Sequence, residues 1–237
     1  RAVSVALAYP NIYRVGMSNL GLHRIYSLLN ERADTRCERV FLPDPEDLPD
    51  YDRTKTPLFA LESRQPVREF DILAFSVSFE KDYLNVIEML RLADIPPERT
   101  RRGPEHPLLV LGGICSFFNP EPLADFFDVV LVGEGEELAN EFVDCYAGHC
   151  GQGRDELLRA FSGLPGAYIP EYYEVRYHDD GRIRERRALV PYAPMTISKR
   201  IAGDLDGSPA ATVILTQETE FSGMHLAEVT RGCGRHC

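Results

Sequence analysis

Two thiols at the C-terminal end of the sequence carry its clearest chemical signal. Cys233 and Cys237 stand at CxxxC spacing within Arg231-Gly232-Cys233-Gly234-Arg235-His236-Cys237, a loop rich in Gly and Arg that follows an apolar stretch. Thiolates are the ligands that iron–sulfur clusters require, and closely spaced cysteines on a loop let several sulfurs converge on one cluster. Zinc binding and unrelated free thiols compete with that reading on spacing alone. Read as the start of CxxxCxxC, the motif expects its third cysteine three residues past position 237. His225 and His236 flank the loop, and neither sits where such a motif places a ligand.

A second set of candidates lies about a hundred residues upstream. Gly112-Gly113 follows Leu111, and Gly133-Glu134-Gly135-Glu136 follows Val132. Glycines after a strand let backbone approach a ligand closely, although they are common in such turns without any ligand. Glu134 and Glu136 could serve as acid and base groups. A structural role is favoured, because carboxylates in the first turn of a helix sit well with its dipole.

These residues need elements to position them. Val3 to Ala8, Arg39 to Leu42, Asp71 to Val77, Pro107 to Leu111 and Asp128 to Val132 read as short buried strands. Between them, Leu20, Leu22, Ile25, Leu28 and Leu29, then Leu84, Ile87, Leu90 and Leu92, then Leu138, Phe142 and Val143 recur at helical spacing. Alternation of this kind predicts a doubly wound parallel sheet with right-handed crossovers, a flavodoxin-like α/β fold. Ligands in such sheets bind at the carboxyl ends of the strands, at the switch point, which selects the loops after Ala8, Val77, Leu111 and Val132. The domains expected are an α/β unit over 1–150, a connecting region over 151–210, and the start of a further domain over 211–237. In the connecting region, His178-Asp179-Asp180-Gly181 between alternating segments predicts a β-hairpin. Ala211 to Thr216 is expected to be a strand.

The run Glu228-Val229-Thr230-Arg231-Gly232-Cys233, with Leu111-Gly112-Gly113, Asn119-Pro120-Glu121-Pro122-Leu123, Phe127-Asp128 and Gly133-Glu134-Gly135-Glu136 before it, resembles the radical S-adenosylmethionine (radical SAM) superfamily. The similarity is to its subgroup with an N-terminal cobalamin-binding-type domain. That resemblance implies that 211–237 holds the first strand of a catalytic barrel, cut within its cluster motif, and that Cys233 and Cys237 are the first two ligands of a 4Fe–4S cluster. It implies S-adenosylmethionine as co-substrate, an electron donor for the cluster, and radical chemistry on an unknown substrate. Cobalamin is a further possible cofactor, with Gly112 and Gly113 facing its nucleotide tail and the loop after Ala8 facing the corrin. Gly133, Glu134, Gly135 and Glu136 would shape the pocket wall and cap the next helix. The Asp-x-His-x-x-Gly motif that supplies a lower cobalt ligand is absent; His23 has Gly21 two positions before it and reads as a helix residue. Two alternatives stand beside this reading: a methylthiotransferase-like modifier of RNA or protein, and a noncatalytic cobalamin-binding or scaffold module. For the first, Cys37, Cys115, Cys145 and Cys150 do not supply the expected auxiliary cluster set, and they read as incidental thiols.

Bulk properties exclude other classes. The 237 residues suffice for one large or two modest domains, and 44% hydrophobic with 27% charged residues is ordinary for a globular chain. A net charge of −11 speaks against nonspecific nucleic-acid binding, which needs clustered cations. Arg182, Arg184, Arg186 and Arg187 alternate along a strand and read as a solvated face. No stretch approaches the ~18 apolar residues of a membrane span. Arg1 followed directly by a strand does not read as a signal peptide, so a reducing cytoplasm is the expected compartment.

Overall fold

A computed structural model describes residues 2–205, 207 and 209–232. Cys233, Cys237 and His236 lie outside the described residues.

The seven-residue strand β1 (Val3–Tyr9) is buried throughout, as an apolar run covered on both faces must be. It pairs in parallel with β2 (Thr35–Phe41) on one side and β3 (Ile72–Ser76) on the other. Parallel strands β4 (Leu108–Gly112) and β5 (Val129–Leu131) extend the sheet, and β6 (Ala167–Tyr168) closes it antiparallel. The order is β2-β1-β3-β4-β5-β6. β6 comes from the region expected to be a connection. At two residues it is too short to show alternation, and only pairing with β5 makes it a strand.

The helices are α1 (Tyr13–Gly16), α2 (Leu20–Asn30), α3 (Leu48–Thr54), α4 (Tyr83–Leu92), α5 (Ile114–Phe118), α6 (Gly135–His149) and α7 (Arg154–Ser162). The Asn19 side chain accepts from the Leu22 amide at 2.9 Å and so caps α2. α2, α6 and α7 cover one face of the sheet. Leu22, Leu29, Phe142, Val143, Leu158 and Phe161 pack there with Val5 and Leu7, and the Phe142 and Phe161 rings stack at 4.5 Å. α4 covers the other face, where Val86, Met89 and Leu90 meet Ala6, Ala8 and Phe75. Each of the Val, Leu, Met and Phe side chains taken from water contributes about 1.5–3 kcal/mol. Leu84, read as part of the apolar stripe of α4, is instead 80% exposed; the stripe runs through Val86, Met89, Leu90 and Leu92.

The connection from β1 to β2 through α2 and that from β3 to β4 through α4 run on opposite faces. The chain therefore leaves the adjacent strands β1 and β3 toward opposite faces, the switch point of a doubly wound sheet. At the opposite end, buried Asp128 accepts from the Leu109 amide (2.8 Å) and from Arg102 (3.2 Å), with Arg154 2.9 Å away.

The hairpin is present as β7 (Tyr173–Tyr177) and β8 (Ile183–Ala188), with Gly181 at φ +82° in the turn. Arg182, Arg186 and Arg187 on its exposed surface pair with Asp180, Glu121 and Glu174. Residues 211–216, expected as a strand, make only an isolated antiparallel bridge between Ala211 and Ala227. The Thr212 amide donates to Leu226 O and the Glu228 amide to Ala210 O, at 2.9 and 2.8 Å. Among the described residues no further strand pairs beside this bridge, so no ladder propagates from it, and Val213 and Leu215 stay exposed.

Candidate cofactor site

A cavity of about 600 Å³ opens at the carboxyl ends of β1, β3, β4 and β5, between α2 and α6. Leu7, Ala74, Val110 and Leu131 form its floor, and Ile25 and Leu138 its walls. These floor residues share the face covered by α2 and α6 because side chains alternate along each strand. The rim is charged: Glu134, Glu136, Glu228, Lys199 and Arg231 all border the opening, and Gly232 completes it. An apolar well with a few polar groups at its mouth is the usual form of a small-molecule site.

The glycines expected here have different duties. Gly112 and Gly113 both line the cavity. Gly113 has φ +89°, and a Cβ there would collide with the Val77 backbone. Gly133 has φ +133°, and a Cβ there would collide with the Arg200 backbone. Arg200 donates its amide to Val132 O and accepts from the Glu134 amide, both at 3.0 Å, so a strap of chain crosses the end of β5 at Gly133. A Cβ on Gly135 would meet Ile25 of α2. Close approach of this chain's own backbone accounts for Gly113 and Gly133, whereas the neighbour of Gly135 is the flexible end of the Ile25 side chain. A Cβ on Gly112 meets nothing closer than 3.7 Å.

Glu134 stands at the N-cap of α6 but its side chain makes no cap bond, contrary to the expected capping role. Its Oε2 accepts instead from the Ala202 amide at 2.6 Å and lies 3.5 Å from Arg231 Nη1. Glu136 is turned the same way: Arg231 Nη2 donates to its Oε1 at 2.7 Å. Arg231 also grips Glu228 with two atoms, Nε to Oε1 at 2.9 Å and Nη2 to Oε2 at 2.7 Å. The Glu228 and Glu136 carboxylates hold the guanidinium well above its ordinary pKa, and Arg231 in turn draws that of Glu228 down. The Gly-Glu-Gly-Glu run and the residue two before Cys233 thus meet, though nearly a hundred residues separate them. The sequence named both runs; their contact had no signal in it.

The loops after β1 and β3 are knitted together beside the crevice. Asn11 Nδ2 donates to Asp82 Oδ1 (2.9 Å), Asn19 Nδ2 to Ser78 Oγ (3.2 Å), and Asn85 Nδ2 to Pro10 O (2.9 Å). Asp82 is buried, its Oδ2 has no hydrogen-bond partner, and burial raises its pKa. Sequence reading did not single out Asp82. His23 is buried in α2, with Nε2 3.0 Å from Met17 O while Nδ1 accepts from the Val213 amide at 3.3 Å. That pattern requires the proton on Nε2. Both ring nitrogens are engaged, so His23 offers no lone pair to a metal.

Cys37 packs in the core on the α2 face and Cys115 in the core on the α4 face; Cys145 is half-buried and Cys150 exposed. Among the described residues, no group of three or more His, Cys, Asp or Glu side chains is arranged to hold a metal ion. No helix in the described residues is long and apolar enough to cross a membrane.

Sheet order and crevice define a doubly wound α/β domain with a cavity at the carboxyl ends of its parallel strands. Residues 21–170 match the family described as radical SAM proteins, N-terminal, and the chain belongs to that family. A curated relative, the uncharacterized protein MJ0966 of Methanocaldococcus jannaschii, is 30% identical over 133 residues, 56% of this chain and 24% of its own length. The chain thus spans about a quarter of that relative. Among solved structures, the radical S-adenosylmethionine methyltransferase TsrM of Kitasatospora setae, with tryptophan substrate and a SAM analogue bound, is similar over 77% of this chain and 30% of its own, at 18% identity and a TM-score of 0.43.

Proposed function

We propose that this chain is the N-terminal part of a radical SAM enzyme, in which Cys233 and Cys237 provide the first two ligands of a 4Fe–4S cluster. The observation that carries this reading is the anchorage of Arg231 by Glu134, Glu136 and Glu228 at the crevice rim, two residues before Cys233. The donor set fits, since thiolates on a Gly-containing loop are what such a cluster takes. When bound, the cluster supplies an electron that cleaves S-adenosylmethionine reductively. The role of this chain's residues is to hold the loop, exclude water through the apolar floor of Leu7, Ala74, Val110 and Leu131, and shape the cavity beneath. Exposed Leu215, Met224 and Val229 support the reading that residues beyond Ala210 pack against a further part of the enzyme. Substrate and electron donor belong to that larger protein.

The test is anaerobic reconstitution with iron and sulfide. A longer protein that includes a third cysteine is expected to load a stable 4Fe–4S cluster, and this chain alone to load little. A longer protein that takes up none would overturn the assignment.

The cavity supports a second cofactor, cobalamin. Its apolar floor and walls fit a flat heteroaromatic group, and Gly112 leaves room beside it. His23 is engaged at both nitrogens, so such binding would use no lower histidine ligand from this position. Titration with cobalamin, followed in the visible spectrum, is expected to give a saturable perturbation; an unchanged spectrum would remove cobalamin and leave the cluster reading untouched.

A further inference from the structure

The contacts of Arg231 fall into two kinds. Glu228 is three residues away and would travel with the segment wherever it went. Glu136 and Glu134 belong to the start of α6, which is bolted to the sheet through Leu138, Phe142 and Val143. Of the contacts of Arg231, these two tie the segment to the α/β domain, beside the Val213–His23 and Glu220–Ser18 hydrogen bonds farther back along it. The Glu136 carboxylate is 8% exposed and Arg231 24% exposed, so the pair is screened less than a surface bridge would be. Glu228 fixes the plane of the guanidinium from two atoms, and Nη2 serves Glu136 as well. A planar fork with several donors can do this; a lysine ammonium cannot. Glu134 uses the same Oε2 that approaches Arg231 to accept from Ala202, so the strap across Gly133 joins the same clamp. Gly232 follows with φ +95° and lines the cavity, and the next residue is Cys233.

The geometry points to Arg231 as a positioning residue: Glu136 and Glu134 hold the start of the cysteine loop over the crevice through its guanidinium, so the α/β domain sets where the cluster sits. This deepens the cluster reading above and rests on it. It assigns the strand-end carboxylates a positioning duty in place of proton transfer.

The test has two stages. In this chain without iron, amide hydrogen exchange is followed at residues 226–232 in Glu136→Gln and Arg231→Ala, with Glu156→Gln, from an exposed pair with Arg159 on α7, as a control. Both clamp variants are expected to speed exchange there about tenfold while the core of the sheet and the Glu156→Gln variant stay unchanged. Unchanged exchange in both clamp variants would overturn the clamp. In the full-length protein, reconstituted anaerobically, the same two variants are expected to lose iron to a chelator about tenfold faster than wild type and to alter the EPR spectrum of the reduced cluster. Retention and spectrum identical to wild type would overturn the positioning role. A full-length wild type that binds no iron would instead overturn the cluster reading, whatever the exchange data show.

Discussion

Arg231 donates to Glu136 Oε1 at 2.7 Å across 95 residues of chain, and this contact joins the first turn of α6 to the start of the cysteine loop. Arg200 reinforces the junction from the other side, since its backbone lies on Gly133 and its guanidinium reaches Glu137 and Glu141 at 3.0 and 2.8 Å. The crevice rim is thus built by three segments that are remote in sequence.

Gly133→Ala should be among the more damaging single substitutions near the site. Its φ of +133° and the adjacent Arg200 backbone leave no place for a Cβ, so a loss of roughly 2–3 kcal/mol is expected. Gly112→Ala, with no close neighbour, should cost under about 1 kcal/mol. Urea denaturation of both variants checks the contrast; equal losses would show that the strap does not press on Gly133.

Filling the cavity should separate ligand binding from folding. Ala74 lies on the cavity floor, and Ala74→Leu adds apolar volume there. The thermal midpoint is expected to hold or rise, and the cobalamin titration to become flat. Saturable spectral change in this variant, at wild-type affinity, would move the ligand out of the cavity.

His23 should make the attachment of the segment around Val213 sensitive to acid. Its pKa lies below the ordinary value of 6.5, chiefly because burial disfavours the imidazolium, with Arg39 adding to the effect and the Met17 carbonyl opposing it. Arg39 is itself paired with Glu62 at 2.7 Å and lies over the Tyr26 ring. Between 6.5 and the lower folded value, the unfolded chain binds more protons than the folded one, so this contribution is present above 6.5 and is lost as pH falls. Protonated Nδ1 also ceases to accept from Val213. Thermal midpoints from pH 7 to 5 should fall more steeply in wild type than in His23→Gln. Parallel curves would remove His23 as the cause.

Asp128→Ala should destabilise the far end of the sheet by about 3–5 kcal/mol, because it strands a buried guanidinium. The Arg102 side chain is wholly buried beside it, and the Leu109 amide loses its acceptor as well. Chemical denaturation checks the size of the loss; one under 1 kcal/mol would mean that water reaches Arg102 once the carboxylate is gone.

The elements most legible in the sequence were those whose period is their own. β1 showed as an uninterrupted apolar run, α2 and α6 as helical repeats, and the hairpin as Asp-Gly between alternating segments. Short elements were not legible: β6 is two residues held by β5, and α3 is seven residues with proline in its first turn. Residues 211–216 went the other way, since their apolar composition suggested a strand while the described structure offers only the Ala211–Ala227 bridge.

By itself the sequence determined the strand and helix alternation, the glycine and glutamate run, and the thiol pair at its end, because each depends on residue type and local spacing. Only the tertiary structure decided what Glu134, Glu136, Gly113 and Gly133 do. Their partners are Arg231, Ala202, Val77 and Arg200, and only the sheet order and the packing of the strap and of the last described segment onto the sheet bring those partners within reach. A carboxylate chooses its cation, and a glycine its close neighbour, by distance in space, which local spacing along the chain does not encode.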